Sequence, residues 1–192
     1  MDYANPKYVL KFNEHTWGPT KNAKQIRFAK IAVRIIVMLI LVGSLIFGDN
    51  LFEELSFGPQ MLLIAMCLGT FFVNDKEKVA KPMEIRFYDD YMVLYREKRY
   101  YSPKCSRKEY TKFFYKDIKK IVYRPVTKRL NICGLMEGIW YNYQKDGSLP
   151  EKPSYHKTTD SLAYFYTNVE PDIDFIALFE KYTSIKVTIE EI

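Results

Sequence analysis

The side chains with most chemistry to offer lie in one stretch, REKRYYSPKCSRKEYTK, residues 96–112. It places Arg96, Lys98, Arg99, Lys104, Arg107, Lys108 and Lys112 around Tyr100, Tyr101 and Tyr110. Cations at this density attract anionic lipid headgroups by about 1 kcal/mol each when close to the surface, and tyrosines among them can enter the headgroup layer. These seven residues are therefore the expected anionic-lipid contacts. Basic and aromatic residues together also suit the phosphates and bases of nucleic acid. The charge distribution argues against that partner: residues 76–129 hold seventeen Lys and Arg against seven Asp and Glu, but residues 130–192 hold five against ten.

Catalytic chemistry finds little to work with. His156 has Asp160 and Ser161 nearby in sequence, but proximity in one segment is not triad geometry. No glycine-rich phosphate loop, nucleophile elbow or metal-binding helix motif occurs. Cys67, Cys105 and Cys133 are odd in number and form no CxxC pair, which points to free thiols in a reducing compartment. Cys105 lies between Lys104 and Arg107, which would lower its pKa if it is exposed. With only His15 and His156 to join them, a structural zinc site lacks ligands. The expectation is a non-enzymatic chain with no catalytic residue, cofactor or metal.

The elements that would position the basic stretch follow from hydropathy and period. The chain has 192 residues, a net charge of +6 and a mean hydropathy of −0.24, yet these averages hide a division. Between Arg34 and Lys76 the only charges are Asp49, Glu53, Glu54 and Asp75. Two oily runs, 31–48 and 55–74, are apolar on every side, and about 20 such residues span a bilayer core roughly 30 Å thick. Arg34 would lift its guanidinium to the headgroups, and Ser56 and Pro59 would start the second run. A transmembrane helical hairpin at 31–74 is the expectation. Lys21, Lys24, Arg27, Lys30 and Arg34 before it, and Lys76, Lys78 and Lys81 after it, place both termini in the cytoplasm of a two-span cell-membrane protein.

After the hairpin the period is that of strands. MEIRFYDDYMVLYRE alternates on either side of Asp89-Asp90, a hairpin signal. Tyr110 to Tyr115 and Ile118 to Arg124 read as two strands joined at Lys116-Asp117, and RLNICG, GIWYNYQKDG and SLAYFYTNV give more. Behind Pro171 and Asp172, Ile173, Ile176, Leu178 and Phe179 recur at helical spacing. SIKVTIEEI then reverts to strand. In the N-terminal segment, 1–30, Tyr8, Leu10 and Phe12 alternate and suggest one further strand. The class is α+β: an antiparallel sheet, curled, with an amphipathic helix over one face or opening.

This layout, together with Tyr115, Asp117, Ile118 and Ile121 in FFYKDIKKIVYR, resembles the YcxB-like family of bacterial pleckstrin-homology-like membrane proteins of Gram-positive type. The resemblance implies a PH-like, partly open barrel over 75–192 and a membrane address. It supplies no ligand and no functional residue. The reading that follows is a membrane-anchored binding or scaffolding module at the inner face of the membrane, contacting anionic lipid, a membrane protein or a cytosolic protein. The alternative is a regulatory or sensor subunit whose hairpin associates with a larger membrane complex, with Gly43, Ser44, Gly69 and Thr70 small enough for close helix approach.

Overall fold

The computed structural model describes residues 5–47, 51–73, 75–102, 105–168 and 170–191. The chain divides into two compact units, one formed by Met1–Trp17 with Lys78–Ile192 and the other by Gly18–Glu77.

The larger unit is built on an antiparallel meander in the order β1 (Tyr8–Pro19), β2 (Lys76–Phe87), β3 (Tyr91–Ser102), β4 (Cys105–Arg124), β5 (Arg129–Asn142) and β6 (Tyr155–Tyr166). Each strand shows why it forms. In β1, Leu10, Phe12 and Glu14 are buried while Lys11, Asn13 and His15 are exposed, the period of two that a sheet with one covered face demands. Asp89 and Asp90 occupy the connection between β2 and β3. A short strand, β7 (Val187–Ile189), adds in parallel to the end of β4 at Ile121–Tyr123.

Two strands depart from the sequence reading, and in β5 the segments RLNICG and GIWYN run on as one strand rather than two. Lys116-Asp117 is not a turn between two strands but lies inside β4, where the register with β5 jumps from Phe113↔Met136 to Ile118↔Gly134. The extra residues form a bulge. Gly134 makes room for it: a Cβ there would stand 2.3 Å from the Asp117 carbonyl oxygen.

Helix α4 (Phe175–Thr183) closes one end of the inner face. Asp174 caps it, its carboxylate accepting from the Ala177 amide at 3.0 Å. Phe175 and Phe179 pack against Phe165, with ring centroids 5.3 and 5.9 Å apart, and Phe179 meets Phe87 edge-on at 5.4 Å. Around them Met83, Ile85, Met92, Leu94, Phe113, Ile121, Leu130 and Ile132 complete the core.

The smaller unit holds the two oily runs as α1 (Ala23–Phe47), a single turn α2 (Leu51–Glu54) and α3 (Phe57–Phe72). Here the structure overturns the transmembrane reading: among the described residues no helix is long and apolar enough to cross a membrane. Helix α3 has 16 residues, which at 1.5 Å per residue rise about 24 Å against a hydrocarbon core of roughly 30 Å. Helix α1 is longer, but Lys24, Arg27, Lys30 and Arg34 occupy its first half and leave about 20 Å of uncharged helix from Ile35 to Phe47. The two spans, and with them the integral, multi-pass cell-membrane placement with cytoplasmic termini, are therefore withdrawn.

The basic residues of α1 have a different task. At spacings of three and four they form one stripe of the helix, and that stripe meets the far end of α3. Arg34 Nε donates to Thr70 Oγ1 at 3.1 Å with its guanidinium 4.6 Å from the Phe71 ring, Lys30 donates to the Val73 carbonyl, and Arg27 pairs with Asp75 at 2.5 Å. Arg34 thus bonds inside the hairpin rather than reaching for headgroups. The Arg27 hydrogen bond also holds the Asp75 carboxyl below its usual range. Ser56 precedes α3 without a side-chain capping bond.

Candidate functional site

The basic stretch is distributed by the sheet rather than presented as one patch. Residues of β4 alternate, so Arg107 and Glu109 point to the inner face with Phe113, while Lys108, Tyr110 and Lys112 point to the outer one. On β3, Arg96 stands opposite Glu109. Three residues further along the strand, Arg99 would ordinarily face the other way, but a register shift between Arg96 and Arg99 turns it back.

Three guanidiniums consequently converge on one buried carboxylate. Glu109 receives Arg99 Nη1 at 3.2 Å and Arg107 Nε, and lies 3.6 Å from Arg96 Nη1. Arg96 is itself buried, its Nε on Glu14 at 2.5 Å and its Nη2 on the Tyr164 carbonyl at 2.7 Å. Burial pushes the Glu109 carboxyl up, but the charges of Arg99, Arg96 and Arg107 outweigh it and hold Glu109 below its usual range. For Arg99, burial opposes the charge, and Glu109 and Glu14 reverse that and raise it.

Aromatic rings complete the inner cluster. The Arg107 guanidinium lies 4.0 Å from the Trp140 ring and 5.1 Å from that of Tyr101, and Trp140 stacks in turn on Tyr155 at 4.0 Å. Outside, Lys108 pairs with Glu97 at 3.3 Å beside Tyr95 and Tyr110, and Lys112 lies over Tyr91 and Phe114. Lys98 sits 5.0 Å from the Tyr143 ring. Lys104 lies outside the described residues.

Of the seven expected lipid contacts, then, Arg96 is withdrawn into the interior, and Arg99 and Arg107 engage Glu109. Lys98, Lys108 and Lys112 remain half-buried among rings. The residues missed by sequence reasoning are Glu14, Glu109 and Trp140. A signal for the first two exists: Glu14 is in phase with Leu10 and Phe12, and Glu109 with Thr111 and Phe113.

A groove of about 290 Å³ beside the start of α4 is lined by Tyr123, Lys128, Thr167, Pro171, Asp174 and Ile176. His156 Nε2 lies 2.8 Å from Glu137 Oε1 on exposed surface, and Asp160 pairs with Lys119, so neither joins Ser161 in a catalytic arrangement.

The helical unit offers a second kind of surface. Phe28, Leu39, Ile46, Phe57, Leu62, Leu68, Phe71 and Phe72 are all exposed, Phe72 to 86%. A crevice of about 230 Å³ between the helices is lined entirely by Val37, Ile40, Phe52, Leu63, Ile64, Cys67 and Leu68. A Cβ added at Gly69 would meet nothing within 4 Å, so the backbone is open to close approach there. Folded chains rarely leave contiguous apolar surface of this extent facing water.

Compared with known proteins, the chain matches no family model, no curated protein and no solved structure.

Proposed function

We propose that the chain is a non-enzymatic binding or scaffolding module whose helical hairpin seats against apolar helices of a protein partner. The observation that carries this reading is the apolar surface of α1 and α3, exposed around both helices. Hydrophobic association with another protein would cover it, and Gly69 gives a neighbouring helix a place to approach closely. The larger unit supplies the folded platform. The resemblance in layout to the YcxB-like family belongs to the same proposal.

The test places a photoreactive residue at Leu68 and, as a control, at Val126, which is exposed on the β4–β5 turn. A discrete crosslinked product from position 68 that disappears in Gly69→Leu, with none from position 126, supports the proposal. No product, or one unaffected by Gly69→Leu, contradicts it.

Contact with anionic lipid is the second reading, favoured by Lys98, Lys108 and Lys112, which keep their ammonium groups among tyrosine and phenylalanine rings. It predicts salt-sensitive binding of the full chain to phosphatidylglycerol vesicles. Equal binding to phosphatidylcholine would remove its electrostatic basis.

A further inference from the structure

The inner-face arginines hold more hydrogen-bonding capacity than the fold uses. Each guanidinium has five N–H donors, and a carboxylate offers about four acceptor positions. Arg96 spends its donors on Glu14 and the Tyr164 carbonyl. Arg99 gives only Nη1 to Glu109, and Arg107 gives only Nε. Among the described residues, the Nε and Nη2 groups of Arg99 and both Nη groups of Arg107 have no protein acceptor. Their side chains are 26% and 20% accessible, so these donors lie at the boundary between the buried pair and solvent.

The charges are unbalanced in the same sense. Three guanidiniums, of Arg96, Arg99 and Arg107, face two carboxylates, of Glu14 and Glu109. Rigidity is supplied too: Glu109 fixes Nε of Arg107 while its guanidinium lies over the Trp140 and Tyr101 rings. A guanidinium locked at Nε presents its two Nη groups as a fork, the geometry that recognises an oxyanion by two parallel hydrogen bonds.

We propose that Arg99 and Arg107, backed by Glu109 and flanked by Trp140 and Tyr101, form a binding site for a phosphoryl oxyanion. The site stands on the sheet alone and is independent of the hairpin proposal. A phosphoryl group offers several acceptors to the unused donors and negative charge to the cationic excess. Its source is either a soluble phosphorylated compound or a phosphomonoester lipid headgroup, since both present the same group.

Trp140 is a built-in reporter, and Trp17→Phe leaves it the only tryptophan among these 192 residues. Inorganic phosphate is titrated against chloride at constant ionic strength. The expected result is a saturable change in Trp140 fluorescence and a higher melting temperature in phosphate than in chloride. Arg107→Lys keeps the charge but loses the fork and should weaken binding about tenfold or more, whereas Lys186→Gln, at an exposed residue just before β7, should stay within about twofold. A response identical to that in chloride, or undiminished binding in a folded Arg107→Lys, overturns the site.

If Arg107→Lys does not fold, the indole N–H resonances of the unaltered chain decide. Movement of Trp140 with Trp17 stationary supports the site; movement of both alike, or of neither, overturns it. Vesicles of phosphatidic acid in phosphatidylcholine separate the sources. A Trp140 response on these vesicles that free phosphate competes away assigns the headgroup, and saturation by free phosphate with no vesicle response assigns a soluble ligand. Absence of both is the negative result.

Discussion

The sheet unit and the helical unit arrange their apolar residues in opposite ways. In the sheet, Phe87, Phe113, Phe165 and Phe179 are wholly buried, and charge is either at the surface or paired inside as Glu14, Arg96 and Glu109. In the hairpin, Phe28, Phe57, Phe71 and Phe72 are exposed, while the cations Arg27 and Arg34 are spent on contacts between its own segments. Apolar content does not by itself locate a segment. A unit whose oily residues face outward lacks the cover that the sheet provides for itself, and that missing cover is the physical basis of the binding proposal.

Removing the same kind of side chain from each unit should break the symmetry most visibly. Phe179→Ala opens a cavity in the sheet core and is expected to cost about 3–5 kcal/mol in urea unfolding. Phe72→Ser, at a residue 86% exposed, is expected to change stability by no more than about 0.5 kcal/mol. A large loss in the second variant would mean that Phe72 is covered within the isolated chain.

The ionic end of the sheet gives the next effect. Glu109→Gln leaves three arginines around a neutral amide and should cost about 3 kcal/mol. The pH dependence follows from the same carboxylate. Its folded pKa lies below the ordinary 4.5 because the arginines outweigh burial. The unfolded chain therefore takes up the proton first as pH falls. The contribution is complete above about pH 4.5 and is lost as pH falls through the folded value. An acid-denaturation series should show this limb in the parent and a flatter one in Glu109→Gln; equal slopes would remove Glu109 as its cause.

A smaller effect sharpens the account of α4, whose apolar face needs its start fixed. Asp174→Ala removes the acceptor for the Ala177 amide and should cost about 1 kcal/mol by thermal or urea unfolding. No change would show that the helix is set by Phe175 and Phe179 packing alone.

Much of the sheet is legible because one covered face imposes a period of two: Leu10 and Phe12 bury and Lys11 and Asn13 do not. Helical spacing at Ile176 and Phe179 reflects a single covered face in the same way, while Ile173 packs on the core from before the helix, which starts at Phe175. What sequence alone does not yield is register. The bulge that turns Arg99 toward Glu109, and the one that keeps Lys116 and Asp117 within β4, depend on pairing with strands distant in sequence. The charge of Arg96 suggests the surface, although its phase with Leu94 puts it inside, and Glu109 shares the phase of Phe113. For the hairpin, oily residues on all sides are compatible with lipid or with a protein surface, and helix length and the Arg34–Thr70 bond decide against a span.

The most direct measurement of the central claim is methionine oxidation by dilute peroxide, compared between the purified chain and the chain in cells. Met38, Met61 and Met66 lie exposed on α1 and α3, and Met83 and Met92 are buried in the sheet. The account predicts that Met38, Met61 and Met66 oxidise readily in the purified chain and are protected in cells, with Met83 and Met92 protected in both. Equal oxidation of the three hairpin methionines in both settings would contradict it.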